Sequence, residues 1–262
     1  MTLKSPFFYD ITLRDGNQAL AKPWNTQEKE LVFRQLLKLG VQGVEVGFAG
    51  ASDMDFEACE HLARLTAEMA EQGDKSAQNV VISGLARAVK SDIQKVWDAI
   101  QYAPNPRIHT FISLSSFNME NVLRMSPAEV KSRAVEAVAF AKSLVGERGT
   151  VQFSAEHFGD CHDNMDFVIE VLQAVVKAGA SVLNLPNTVE RYRPMHFVNM
   201  VRQVVESVPA SVTVAVHNHN DLGMATATTV ESYFAGAVQM ETALNGLGER
   251  AGNTNMYEVA VA

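Results

Sequence analysis

The sequence holds only two cysteines in 262 residues, and Cys59 and Cys161 form no CxxC pair. That scarcity fits a reducing compartment and argues against a structural disulfide. Basic residues are also in deficit: 22 Lys and Arg against 30 Asp and Glu leave a net charge of −8. They are scattered, and no stripe of aromatics alternates with them, so neither a phosphate-tracking groove nor a base-stacking platform for nucleic acid is visible. The N-terminal MTLKSPFFYD lacks a long apolar region, and no uninterrupted stretch approaches a membrane span. A soluble, cytoplasmic protein without membrane or nucleic-acid partners is the expectation. No Pro/Ser-rich linker divides the chain, so residues 1–262 are read as one domain.

What is present is a core-forming composition, 47% hydrophobic, arranged in alternating patterns. Strand-like runs occur near Phe7–Leu13, Val41–Val46, Val80–Gly84, Arg107–Ser113, Thr150–Ser154, Ser181–Leu185, Val212–Val216 and Met240–Ala243. Between them, Thr26–Leu39, Asp53–Gln72, Pro127–Val145, Met165–Ala178, Pro194–Ser207 and Ala225–Ala235 repeat apolar residues every three or four positions. Glycines at 40, 73, 146, 179 and 236 mark helix stops. Eight such units predict a (β/α)8 TIM barrel of the α/β class. A doubly wound sheet is the alternative, but it calls for a phosphate loop after the first strand, and LRDGNQ is not one.

Polar residues cluster where a barrel builds its active site, at or just past the C-terminal strand ends. In VAVHNHNDLG, residues 214–223, His217 and His219 share one face of a strand and can reach one ion. Near the N-terminus, YDITLRDGNQAL ends a strand-like run in Arg14 and Asp15. Two imidazoles and a carboxylate are a common ligand set for a divalent metal with open positions. Glu45 lies in VQGVEVGF, where a buried charge requires a partner; a salt bridge to Arg14 and direct catalysis both fit. His109 reads either as a satisfied core histidine or as a substrate contact. The glycines of GLGERAG have the wrong spacing for a nucleotide loop, and the adjacent Cys161 and His162 are read as coincidence.

The stretch LRDGNQALAKPWNTQEK resembles, residue for residue, the first signature of the α-isopropylmalate synthase and homocitrate synthase family, which closes on a lysine, here Lys29. HNHNDLGMATA resembles its second signature, and NGLGERAGNTN its loop after the eighth strand. The Asn-Gln-Ala-Leu after Arg-Asp-Gly, and NLPNTVE at residues 184–190, are most similar to the α-isopropylmalate synthase branch. The resemblance implies metal ligands Asp15, His217 and His219, with Asn253 a fourth or water-mediated ligand and Gln18 orienting the set. It implies Arg14 on the substrate keto oxygen, Thr188 on its carboxylate, and His109, Ser154, Asn184 and Pro186 around its branched side chain; Glu45 is counted with these as a substrate-binding residue. Glu156 takes the place of a catalytic carboxylate.

The implied chemistry is a Claisen-type condensation of acetyl-CoA with a 2-oxo acid, 2-oxoisovalerate first among them, at magnesium, manganese or zinc. Homocitrate-type and citramalate-type synthases, or a barrel that binds metal and 2-oxo acid with little turnover, are the alternatives. Family members act as homodimers in which C-terminal subdomains lend a histidine and a tyrosine to the partner subunit's site, and they carry a regulatory domain. Those regions have no counterpart up to Ala262, so a catalytic barrel with doubtful turnover is the expectation.

Overall fold

The computed structural model describes residues 4–262. Eight parallel strands close into a barrel in sequence order: β1 Phe7–Asp10, β2 Gly43–Gly47, β3 Val81–Arg87, β4 Asn105–Ser113, β5 Thr150–Glu156, β6 Val182–Asn187, β7 Thr213–Asn218 and β8 Gln239–Thr242. At the seam β1 lies beside β8, with Tyr9 opposite Glu241. The principal helices between and after them are α1 Thr26–Leu39, α2 Asp53–Glu71, α3 Lys90–Ile100, α4 Pro127–Val145, α5 Met165–Ala178, α6 Pro194–Ser207, α7 Ala225–Phe234 and α8 Met256–Val261. This is the predicted TIM barrel. No helix among the described residues is long and apolar enough to cross a membrane.

Two of the differences from the sequence reading have a clear local cause. First, β1 stops at Asp10 instead of running to Leu13. The Asp10 carboxylate accepts from the Thr12 backbone N–H (2.9 Å) and hydroxyl (2.8 Å), a local competition that turns the chain into the tight Thr12–Gly16 helical turn. That turn carries Arg14 and Asp15. Second, α3 has no counterpart among the expected helices. Its N-cap Val89 offers no side-chain bond and its C-cap is Gln101, so the boundary signals are missing. By contrast, α1 has an Asn25–Glu28 capping box and a left-handed Gly40 stop, and α4 has a Ser126–Glu129 box with proline in its first turn.

The apolar core lies between sheet and helices, where Val44, Ile82, Ile108, Val151, Phe153, Leu183 and Val216 are buried. Alternate strand residues point into the lumen, and many of these are polar. Contacts between non-adjacent strands prove the direction: Glu45 on β2 meets His109 on β4, Gln152 on β5 meets Glu241 on β8, and Arg107 on β4 meets Gln239 on β8. Barrel interiors are ordinarily filled by branched apolar side chains. A polar lumen is stable only when its groups are paired, since each orphaned group costs ~1–3 kcal/mol.

Candidate metal centre and substrate cavity

Asp15, on the turn after β1, and His217 and His219, at the end of β7, each offer a ligand atom, and these atoms lie within 4.8 Å of one another. The period-two spacing aligns the two imidazoles, whose ring centroids stack 4.9 Å apart. Asn253, from the loop after β8, sits between the ligands: its Oδ1 lies 2.9 Å from His217 Nε2, and its Nδ2 donates to Asp15 Oδ1 at 2.7 Å. All four are at most 5% exposed. His219 Nδ1 is buried with no hydrogen-bond partner among the described residues. One carboxylate, two imidazoles and an orphaned ring nitrogen fit a divalent cation with mixed nitrogen and oxygen ligands.

The electrostatics favour the deprotonated form at Asp15 and His219 and oppose it at His217. Burial would raise the Asp15 carboxyl, but Arg14, His217 and His219 outweigh it and hold it well below the usual carboxylate range. Burial and the neighbouring His217 push His219 down to about 3, leaving it a neutral ligand. For His217 burial opposes charge, yet the Glu241 hydrogen bond and Asp15 prevail and raise its pKa.

The loop GLGERAG serves this centre by letting backbone approach closely. A Cβ on Gly248 would lie 2.1 Å from Asn253 Nδ2. At Gly252 φ is +102°, and a Cβ would lie 2.3 Å from the Gly246 carbonyl oxygen. The glycine spacing therefore belongs to the asparagine.

Above the cluster opens a cavity of about 290 Å³, at the small end of the ~300–1,000 Å³ typical of ligand pockets. Arg14, Asp15, Gln18, His109, Ser154, Glu156, Asn184, Pro186, Thr188, His217 and His219 all line it. Glu45 does not: it is 0% exposed and reaches the cavity through others, accepting from Arg14 Nε and bonding His109 Nδ1, both at 2.5 Å. Burial alone would raise Glu45, but Arg14 and His109 bring it down to about 2. Its role is to hold those two side chains. Gln18 donates to Glu249 at 3.0 Å, so its bond goes to that carboxylate and not to a metal ligand.

His109, Ser154 and Asn184 form one hydrogen-bonded floor, with Ser154 Oγ 2.6 Å from His109 Nε2 and 2.9 Å from Asn184 Nδ2. The apolar wall comes from Phe48, Leu85 and Phe111, with Pro186. Sequence reasoning missed the first three because apolar residues in strands, such as Leu85 and Phe111, or just past one, as Phe48 is, are indistinguishable from core. It also missed Glu241, although a lone carboxylate in the strand QMET carries the same signal as Glu45. Thr188 Oγ1 accepts from the His157 N–H (2.9 Å), which leaves its own proton free for an acceptor in the cavity. Arg250 ties the rim together, donating to Asp221 (2.6 and 2.9 Å) and to the Thr188 carbonyl (2.9 Å). Burial raises the Glu156 carboxyl above its usual range, with His157 opposing.

Comparison with known proteins places this geometry in context. The chain is 59% identical over 257 residues to 2-isopropylmalate synthase 2 of Leptospira interrogans, covering 98% of this chain and 58% of the relative. It is 44% identical to 2-isopropylmalate synthase of Campylobacter fetus, covering 97% and 47%. The chain thus spans about half the length of the curated relatives it matches. The barrel is similar to hydroxymethylglutaryl-CoA lyases from Bacillus subtilis (TM-score 0.77, 17% identity, 100% and 86% covered) and Pseudomonas aeruginosa (0.75, 19%, 100% and 86%), a likeness of fold. The family profile described as HMGL-like matches residues 5–262, and with a closed eight-stranded barrel behind that match, the chain belongs to the HMGL-like family.

Proposed function

We propose that this barrel catalyses the divalent-metal-dependent condensation of acetyl-CoA with a 2-oxo acid, 2-oxoisovalerate yielding 2-isopropylmalate in leucine biosynthesis. The observation that carries the reading is the juxtaposition of Arg14 with the Asp15–His217–His219 cluster at the head of a small cavity that is polar on its floor and apolar on one wall. The 2-isopropylmalate synthase relatives support the same assignment. Acetyl-CoA as donor, a homodimeric assembly and a cytoplasmic setting belong to this reading on the strength of the motif resemblance.

A bound divalent ion supplies Lewis acidity toward the carboxylate and keto oxygen of the 2-oxo acid. The remaining work falls to the chain's own groups. Thr188 donates its free hydroxyl proton to the substrate carboxylate. Arg14, steered by Glu45, carries positive charge to the keto oxygen, where negative charge grows as the carbon–carbon bond forms. Glu156, whose proton affinity burial has raised, takes the proton from the acetyl methyl, and the resulting carbanion attacks the keto carbon. Protonation of the oxygen and hydrolysis of the thioester then release the hydroxy diacid and free thiol. Leu85, Phe111 and Phe48 face the branched alkyl group.

The test is a panel of 2-oxo acids scored for acetyl-CoA-dependent thiol release, with calorimetric titration of each acid on the same metal-loaded sample. The expectation is release dependent on 2-oxoisovalerate, reduced ~10²–10⁴-fold in kcat by Glu156→Gln with 2-oxo acid binding retained. Failure of every 2-oxo acid to bind overturns the proposal; binding without release reduces it to a metal-dependent 2-oxo acid receptor.

A further inference from the structure

We infer that Glu241 is a positioning residue that locks the imidazole of His217 in the tautomer protonated on Nδ1, so that Nε2 is the nitrogen offered to metal. The inference rests on the metal site proposed above. Glu241 is 0% exposed at the barrel seam. Four donors from four strands converge on its carboxylate. Gln152 Nε2 (2.6 Å) and Gln239 Nε2 (3.2 Å) reach Oε1. His217 Nδ1 (3.0 Å) and Asn184 Nδ2 (3.2 Å) reach Oε2.

The direction of these bonds is set from the far end of the lumen. The guanidinium of Arg107, buried at 5% exposure, can only donate. It donates to Gln239 Oε1 at 2.7 Å and Gln152 Oε1 at 3.2 Å. With their oxygens so occupied, both glutamines must turn their amide nitrogens toward Glu241. A carboxylate has about four acceptor sites, and here all four are filled. His217 Nδ1 must therefore donate, and polarity passes from Arg107 through two amides and one carboxylate to a metal ligand. The hub requires a group that only accepts. Glutamine at 241 would present an NH2 either to the two glutamine amides or to His217 and Asn184, setting donor against donor. A partner beneath a ligating histidine characteristically contributes 10–100-fold to metal affinity.

Mn(II) binding followed by electron paramagnetic resonance, and the tautomer of His217 read by long-range 1H–15N correlation in the zinc-loaded protein, test this directly. The wild type should keep its proton on Nδ1 when loaded. Glu241→Gln should bind Mn(II) roughly 10–100-fold more weakly, and Glu241→Asp, which remains a pure acceptor on a shorter arm, should fall between. Circular dichroism and thermal melts separate this from loss of fold. A loaded wild type protonated on Nε2 overturns the inference even if no variant folds, as does a folded Glu241→Gln protein with Mn(II) affinity within twofold of wild type. Absence of Mn(II) binding by the wild type instead overturns the metal site itself.

Discussion

Asp10 provides the sharpest test of the electrostatics. It is fully buried, and its hydrogen-bond donors among the described residues, the Thr12 N–H and hydroxyl, carry no charge. Burial raises its pKa from 3.8 to about 7, against the opposing Thr12 bonds. Because the folded state holds the proton more tightly than the unfolded chain, this group's contribution to stability is complete below pH ~4 and is lost as pH rises through about 7. At ~1.4 kcal/mol per unit, the full loss is about 4 kcal/mol, an upper bound. Asp10→Asn removes the titration while its amide can still accept from the Thr12 N–H. Because only the two units from pH 5 to about 7 fall inside the titration window, the difference in unfolding free energy between wild type and variant should shift by about 2–3 kcal/mol in the variant's favour from pH 5 to pH 8.5. Urea denaturation at each pH measures it, and every other titrating group cancels in the difference. Parallel curves across that range would refute the reasoning.

Other consequences are simpler. Asp15→Ala, His217→Ala and His219→Ala should each abolish stoichiometric metal, whereas Asn253→Ala should only weaken it; elemental analysis showing full occupancy in the doubly substituted histidine variant would misplace the site. Gly248→Ala forces Asn253 away from the ligands and should weaken metal binding about tenfold, measured by the same titration, with the melting temperature falling only modestly. Leu85→Ala enlarges the apolar wall, so relative binding should move toward longer 2-oxo acids by ~1–3 kcal/mol per methylene accommodated; unchanged calorimetric preferences would remove Leu85 from the pocket.

The barrel was legible because eight period-two runs alternate with helical ones, and the ligands because charged and imidazole side chains end apolar strands. Asp15, His217, His219 and Asn253, far apart in sequence, lie together in the fold. What escaped was relational. Glu45 was recognised as needing a partner, but only the fold shows it shared between Arg14 and His109. Gln152, Gln239 and Arg107 look unremarkable in sequence, since nothing local reveals that residues 132 apart meet across the lumen. The turn after β1 was hidden by Asp10, whose bond to its own neighbour ends a strand that hydrophobicity alone would have continued.

One contact also makes the centre a reporter of barrel closure. The Asn253–Asp15 bond joins positions 238 apart across the β1–β8 seam, while the histidines stand on the neighbouring strand. The first and last pieces of the chain must both be docked before the ligands meet, so an open barrel with seven finished strands has no cation site. Long-range closures of this kind form late. Cations then act on the closed form alone and favour it by mass action, ~2.7 kcal/mol at a hundredfold excess over Kd. Metal should thus slow the parting of the two chain ends far more than it slows fraying of the outer helices, making the ion a clasp as well as a reagent.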